Sequence, residues 1–386
     1  MQVQFVLRTT ITVRQEEGVS FFMREDFTYI ENVDALWNWC EAQKAAAEVA
    51  VDTEFERHST YYPELCLVQL ATEGSIALLD PIKCEDITPL AEFLNSKERI
   101  KVLHAARQDL EVMNLKGVNL GDTFLDTQIA AALVGEDEQI GYGELVKKLV
   151  KVDLDKNQQR ANWKKRPLPK IQLEYAISDV LYLLPVFFAL KKELTRLGRF
   201  AWLEEECAKL GKMVSNINPC DAWKRLKNIS NLDDDSKRRA IALANWREDE
   251  AKRINIPRNW VLRDSEIKRI AVANPTKVTQ FSDLFEERSR NWDKKVRALL
   301  CVLKESRDIN LNIPKFRTRL SDIQKQKAKR LMEGSANVAE KLGIKPSVLM
   351  TVGDSKKLIK GERVAKYYSG WRGSYLRKIL DSVGVG

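Results

Sequence analysis

The chain has 386 residues, of which 44% are hydrophobic and 31% charged, with a net charge of +9. It is too long for one average domain and too apolar for a disordered chain, so two or three globular domains are expected. The basic excess favours polyanionic partners, nucleic acid ahead of an anionic membrane surface. Six scattered cysteines (Cys40, Cys66, Cys84, Cys207, Cys220 and Cys301) form no CxxC pair. That signals neither a zinc site nor a redox motif and suits reduced thiols in a cytosol. No apolar run reads as long enough to span a bilayer, and no membrane attachment is expected.

Residues 1–24 read as an extension of unknown role. Arg8, Arg14, Glu16 and Glu17 break the apolar stretch that a signal peptide needs, and Met23 is an alternative start. From about Asp26 to Leu197, strand and helix patterns alternate. Asn32 to Ala47 reads as a helix with Leu36, Trp37 and Cys40 among its apolar positions. AEVAVDTEF, LCLVQLAT and SIALLDP follow as three short strands separated by turn signals. Their close spacing implies hairpins, and so a mixed sheet. Pro89 to Leu94 suits a short helix, RIKVLHA a strand, ARQDLEVMNL a helix and NLGDTFLDT a short strand. Asp126 sits where it would N-cap TQIAAALVG. A strongly apolar helix, IQLEYAISDVLYLLPVFFAL, closes this α/β region, which should carry helices on both faces of its sheet.

Beyond Leu197 strand signals fade. DAWKRLKNI, DDDSKRRAIALANWREDEAKRINI, SEIKRIAVAN and WDKKVRALLCVLKES read as amphipathic helices. A loop with Pro314 separates them from SDIQKQKAKRLMEGSANVAEKLGI. The division expected is an α/β domain at 25–197, a connection at 198–229, and all-α modules at 230–309 and 310–386. Trp223, Trp246, Trp260 and Trp292 alternate with Lys and Arg. Amphipathic helices bury Trp and solvate Lys, so these aromatics are expected in cores.

Three segments carry candidate chemistry. Asp52 and Glu54 are two apart on a strand, so they share a face. Two carboxylates that close repel each other unless a hard divalent cation joins them. Tyr175 and Asp179 are four apart on the apolar helix, one turn from each other. An Asp in such a run needs a partner, because burying an unpaired charge is costly. Asp109 falls in the first turns of a helix that follows a strand, where the helix dipole favours an acid. Each has a structural explanation when taken singly.

Together, in the order DTE, then H-x-x-x-x-D, then Y-x-x-x-D, they resemble the DEDD 3′→5′ exonuclease superfamily in its tyrosine form, and within it the ribonuclease D family. VAVDTEFERHSTYYPELCLVQLAT, LHAARQDLEVM, FLDTQIAA, LDKNQQRANWKKRPL, EYAISDVLYLLP and SGWRG carry the resemblance. It covers nearly everything after Met23. It implies a ribonuclease H-like α/β exonuclease domain followed by two HRDC-type helical domains, the better match beginning near Ser230. It also implies two divalent metal ions, Mg²⁺ or Mn²⁺. Asp52 would bridge them, Glu54 and Asp179 would complete the site that holds the attacking water, Asp109 would help hold the second ion, and Tyr175 would orient the water. The implied activity is 3′→5′ exoribonuclease action that releases nucleoside 5′-monophosphates, with tRNA precursors and other small structured RNAs as partners and a monomer in the cytoplasm.

Other residues fit less firmly. His104 would line the site or pack at the strand end, and Phe55 could stack on the terminal base, though a core role suits it too. His58 and His104 could in principle act as a general base and acid without metal, but no spacing ties them together and four carboxylates would go unexplained. The basic loop Lys156 to Lys170, with Arg160, Lys164, Lys165 and Arg166, is a candidate backbone contact. The rival functions are a DNA 3′→5′ exonuclease with the same chemistry and an inactive RNA-binding scaffold. The second is disfavoured because all four carboxylates are present.

Overall fold

The computed structural model describes residues 27–120, 123–155, 158, 161–215, 219–285, 292–306 and 320–385. The N-terminal extension and the Pro314 loop lie outside them. Among the described residues six strands form one sheet: β1 (Phe27–Ile30), β2 (Glu48–Glu56), β3 (Glu64–Thr72), β4 (Ser75–Leu79), β5 (Ile100–Leu103) and β6 (Phe124–Asp126). Their order is β1-β4-β3-β2-β5-β6. β3 and β4 are antiparallel, while β1–β4, β2–β5 and β5–β6 are parallel. This is the mixed sheet that the clustered strand signals imply. β3 is buried from Leu65 to Thr72, which is why LCLVQLAT reads as an almost unbroken apolar run.

Among the described residues eight helices belong to this region: α1 (Val33–Ala42), α2 (Thr88–Asn95), α3 (Arg107–Leu115), α4 (Thr127–Leu133), α5 (Tyr142–Leu149), α6 (Lys170–Leu181), α7 (Leu183–Arg196) and α8 (Phe200–Ser215). Local chemistry sets several of their ends. Asn32 caps α1 by accepting the Ala35 N–H at 2.9 Å, and Asp126 caps α4 as read from sequence. Strand β1 and helix α5 have no counterpart in the sequence reading. The helix read as continuous through LYLLP breaks at Tyr182 into α6 and α7. Pro185 explains the break, because it cannot donate to the Leu181 carbonyl four residues back and its ring crowds that group.

Length and composition make Lys170–Arg196 long and apolar enough to cross a membrane, contrary to the sequence expectation. Ala176, Val180, Leu183, Val186, Phe187 and Leu190 of this stretch are nevertheless buried, and α6 and α7 pack on β2, β4 and β5. Its apolar character is that of a core helix.

The remaining helices are α9 (Asp234–Ile254), α10 (Arg258–Val261), α11 (Asp264–Ala273), α12 (Trp292–Glu305), α13 (Asp322–Leu342), α14 (Pro346–Leu349), α15 (Val352–Ile359) and α16 (Gly370–Ser382). DAWKRLKNI is not a regular helix. It forms 3₁₀ turns at Pro219–Arg225 and Ile229–Asn231, separated by Asn228 in the left-handed region at φ 61°.

The chain folds as two compact units. One comprises the sheet region up to Glu56, Leu65–Ser215 and the chain from Leu320 onward; the other comprises Arg57–Glu64 and the helices between Asn216 and Arg319. In the second unit α9, α11 and α12 enclose Leu243, Ala244, Ile267, Ile270, Val296 and Leu299. Trp223, Trp246 and Trp292 pack against that core as expected, but Trp260 is 63% exposed. Also within this unit, Tyr61 donates its hydroxyl to buried Glu248 at 2.5 Å, and Asn255 Oδ1 accepts the Tyr61 and Tyr62 N–H groups.

In the first unit the C-terminal helices share the main core. SGWRG acts as a docking device on α8. Trp371 stacks on Trp202 with ring centroids 4.4 Å apart. Its backbone N–H donates to Glu205 and its indole N–H to Glu206. Arg372 pairs with Glu206 and donates to the Val348 carbonyl at 2.8 and 3.0 Å. Gly370 has φ +68°, and a Cβ there would meet the Glu205 carboxylate, so any other residue would be strained there. Arg199 ties the two parts further, donating to the Leu133 and Leu342 carbonyls.

Candidate active site

β2 enters the core as Val49, Ala50 and Val51, all fully buried, then alternates. Asp52 and Glu54 point to one face, and α6 brings Asp179 to them. One carboxylate oxygen from each of Asp52, Glu54 and Asp179 lies within 4.8 Å of the others. All three side chains are half-buried. Asp109, on the first turn of α3, is 7% exposed, and its Oδ1 accepts the Thr53 hydroxyl at 2.5 Å. The structure therefore gathers three of the four predicted carboxylates directly and ties the fourth to the strand residue between Asp52 and Glu54.

The electrostatics are one-sided. Burial, then the neighbouring Asp179, pushes Asp52 well above the usual carboxylate range. Burial and Asp52 do the same to Asp109. Glu54 is raised to about 10 by burial together with Asp52, Asp179 and Asp109. Burial raises Asp179 to about 8, against the Tyr175 hydrogen bond that favours its charged form. Among the described residues no Lys or Arg forms an ion pair with any of the four. Hard oxygen donors without a countercharge are the donor set that Mg²⁺ or Mn²⁺ prefers, so these residues fit such a cation.

Tyr175 lies one turn before Asp179, hydrogen-bonds to it, and has its ring 6.0 Å from buried Trp163. Sequence reasoning missed two neighbours. Thr53 positions Asp109. Tyr142, on α5, donates its hydroxyl to the Ser178 carbonyl at 3.1 Å, and its own titration is pushed well up by burial and by Asp179. An aromatic residue facing the set from an unread helix carries no sequence signal.

His104 does not offer a ring nitrogen to a ligand. Nδ1 meets Thr127 Oγ1 at 2.9 Å, Nε2 meets the Ile140 carbonyl at 3.0 Å, and burial holds its pKa down. These contacts tie the ring to Thr127 and Ile140 beside the end of β5. His58 is exposed and belongs to the other unit. Phe55 is partly buried against the main core. Arg166 is a clamp rather than a free backbone contact. It pairs with fully buried Asp80 at 2.5 and 2.8 Å and donates to the Cys66 and Trp163 carbonyls. Arg160 lies outside the described residues.

Residues 27–195 match the 3′-5′ exonuclease family, and residues 236–303 match the HRDC domain. Ribonuclease D of Jannaschia sp. is 34% identical over 361 residues, which is 89% of this chain and 91% of that protein. The chain belongs to the ribonuclease D family. Ribonuclease D of Acidiphilium cryptum is 40% identical over 252 residues, 64% of this chain and 63% of the relative, so the matched stretch spans under two thirds of that protein. Among solved structures, Escherichia coli RNase D, described as an exoribonuclease involved in structured RNA processing, superposes with a TM-score of 0.82 at 28% identity. That match covers 93% of this chain and 98% of the other.

Proposed function

We propose that this chain is a metal-dependent 3′→5′ exoribonuclease that removes nucleoside 5′-monophosphates one at a time. The observation that carries the reading is the set of Asp52, Glu54 and Asp179, without a basic partner among the described residues, with Asp109 bound to Thr53 beside it. Those four side chains would hold two divalent cations. When bound, the cations neutralise the carboxylates, lower the pKa of water and stabilise the attacking and leaving oxygens of an in-line displacement.

The chain's own residues do the rest. The Tyr175 hydroxyl hydrogen-bonds to Asp179. With its proton committed to that carboxylate, the hydroxyl oxygen would accept a hydrogen bond from the attacking water and aim it. Trp163 supports the Tyr175 ring, and Tyr142 braces the Ser178 carbonyl next to Asp179. The water oxygen bonds to the terminal phosphorus as the water gives up a proton to solvent, the P–O3′ bond breaks, and the 3′-oxygen of the preceding nucleotide leaves and takes up a proton from solvent. Basic helices would hold the RNA backbone without reading its sequence. We place the enzyme in the cytoplasm as a monomer. Its substrates would be tRNA precursors, trimmed at the 3′ end, and other small structured RNAs, and residues 310–386 would form a second, divergent HRDC-like module.

The test is a 5′-labelled tRNA precursor incubated with Mg²⁺ or Mn²⁺ beside a DNA oligomer of matched length. Stepwise shortening of the RNA with mononucleotide release supports the reading. Preference for the DNA would move it to the repair alternative.

A further inference from the structure

We infer that Asp126 is a positioning residue for the acidic site, acting through the β5–α3 turn that delivers Asp109. This rests on the metal-dependent reading above. Asp126 is 2% exposed at the end of β6. As read from sequence, it caps α4, with Oδ1 accepting from the Gln128 N–H at 2.8 Å and from Ile129 at 3.4 Å. The same carboxylate also does something no N-cap requires. Oδ1 accepts the Ala105 N–H at 3.1 Å, and Oδ2 accepts the Ala106 N–H at 2.9 Å.

Those two N–H groups lie at the entrance to α3. Ala105 sits at φ +56°, a left-handed conformation that disfavours any residue with a Cβ. Ala106 is the N-cap of α3 and has no side chain to cap it. The turn is therefore strained and uncapped by its own residues, and it is held from outside by one carboxylate. Three residues past Ala106 comes Asp109. Two anchors then fix Asp109: the Thr53 hydroxyl from β2 and the helix start that Asp126 holds.

Asp126 is itself held. Its backbone N–H, on the edge strand of the sheet, donates to Cys207 Sγ of α8 at 3.3 Å. Helix α8 carries Glu205 and Glu206, the partners of Trp371 and Arg372. A continuous set of contacts thus runs from SGWRG through α8 and β6 to the Asp109 turn. His104 joins it from the same junction through Thr127, the residue after Asp126. The Asp126 carboxylate is engaged by four N–H groups, so it is not proposed as a cation ligand. It works by geometry, as groups behind metal ligands commonly do.

The variants separate capping from clamping. Asp126→Ser keeps an oxygen suited to capping α4 but cannot span both Ala105 and Ala106. Asp126→Asn keeps the shape and turns an amide N–H toward one of the two backbone donors. Both should lose about 10- to 100-fold in kcat, with KM for a short RNA within about two-fold, and should need about ten-fold more Mn²⁺ for half-saturation in a calorimetric titration without RNA. Ala105→Gly relieves the left-handed strain. Added to Asp126→Ser, it should recover part of both the Mn²⁺ affinity and kcat.

If either variant binds Mn²⁺ like the wild type and keeps its kcat, the inference is overturned. It is also overturned if the melting temperature falls while Mn²⁺ affinity is unchanged, because that would be a scaffold effect alone. Should Asp126→Ser not fold, Asp126→Asn carries the same test. A wild type that binds Mn²⁺ but does not shorten RNA would sink the functional reading and leave the calorimetric comparison standing.

Discussion

Asp80 and the four site carboxylates, all in the same unit, are treated in opposite ways. Asp80, fully buried just after β4, accepts the Tyr29 hydroxyl at 2.9 Å, the Ile82 N–H at 3.1 Å and two bonds from Arg166. Burial pushes its carboxyl up, but the Arg166 and Tyr29 hydrogen bonds outweigh that and hold it below the usual range. Asp52, Glu54, Asp109 and Asp179 are driven upward by burial and by one another, and among the described residues no basic side chain answers them. The fold can supply a countercharge where it uses a carboxylate as a fastener. At β2, α3 and α6 the described residues supply none, which is the setting in which a bound divalent cation would supply the charge.

The contrast predicts opposite outcomes for the same change. Asp179→Asn should lower the rate of RNA hydrolysis by at least about 10³-fold while raising the melting temperature of the metal-free protein at about pH 9, where it removes a carboxylate whose ionisation burial opposes. Asp80→Asn should do the reverse. It strips a buried partner from Arg166, which costs about 3 kcal/mol of stability, yet leaves kcat within about three-fold of wild type. Rates on a labelled oligomer and melting curves in chelator check both. A loss of stability for Asp179→Asn would break the comparison.

The pH dependence follows with a definite sign. Glu54 and Asp179 titrate near 4 when unfolded but are raised to about 10 and about 8 in the folded chain. They bind protons more tightly when folded, so their stabilising contribution is fully present below about pH 4 and is lost as pH rises through the folded values. The metal-free protein should therefore melt at progressively lower temperature from about pH 6 to about pH 9. Cations compete with those protons, so Mg²⁺ should raise the melting temperature more at the upper end of that range. Calorimetry with and without chelator measures both slopes. A metal-free stability that rises with pH would contradict the assignment.

Smaller effects sharpen the picture. Tyr175→Phe should cost about 10- to 100-fold in kcat with little change in RNA affinity, and equal loss of both would count against a water-aiming role. Gly370→Ala should lower the melting temperature of the sheet-containing unit, because a methyl group at φ +68° meets Glu205. Ending the chain before Leu320 would strip α8 of the same partners. The C-terminal helices thus belong to the catalytic unit's core, and their removal should destabilise it rather than only weaken RNA binding.

Much of this was legible in the order of residues. DTE on a strand, an acid early in a helix and Tyr–Asp one turn apart each map onto a period that sequence reveals, and Asp126 was recognisable as a helix cap. The contacts that join them were not. Thr53 reaching Asp109, Asp126 reaching back across some twenty residues to the Ala105 turn, and Tyr142 bracing the Ser178 carbonyl all depend on tertiary placement, which no local pattern encodes. β1 escaped notice because four residues are too few to show alternation, and the break at Tyr182 was hidden by unbroken apolar character despite Pro185. Nor does any local pattern show that Trp371 and Arg372 are locked to α8.

The central claim, that these carboxylates await cations and with them hydrolyse RNA from its 3′ end, has one most direct test. A 5′-labelled tRNA precursor is incubated with wild-type and Asp179→Asn protein, in Mn²⁺ and in chelator, and the products are resolved to single nucleotides. The account predicts a ladder shortening from the 3′ end with release of nucleoside 5′-monophosphates, only for the wild type and only with metal. Shortening that persists in chelator or in Asp179→Asn, or fragments that arise by internal cleavage, would contradict it.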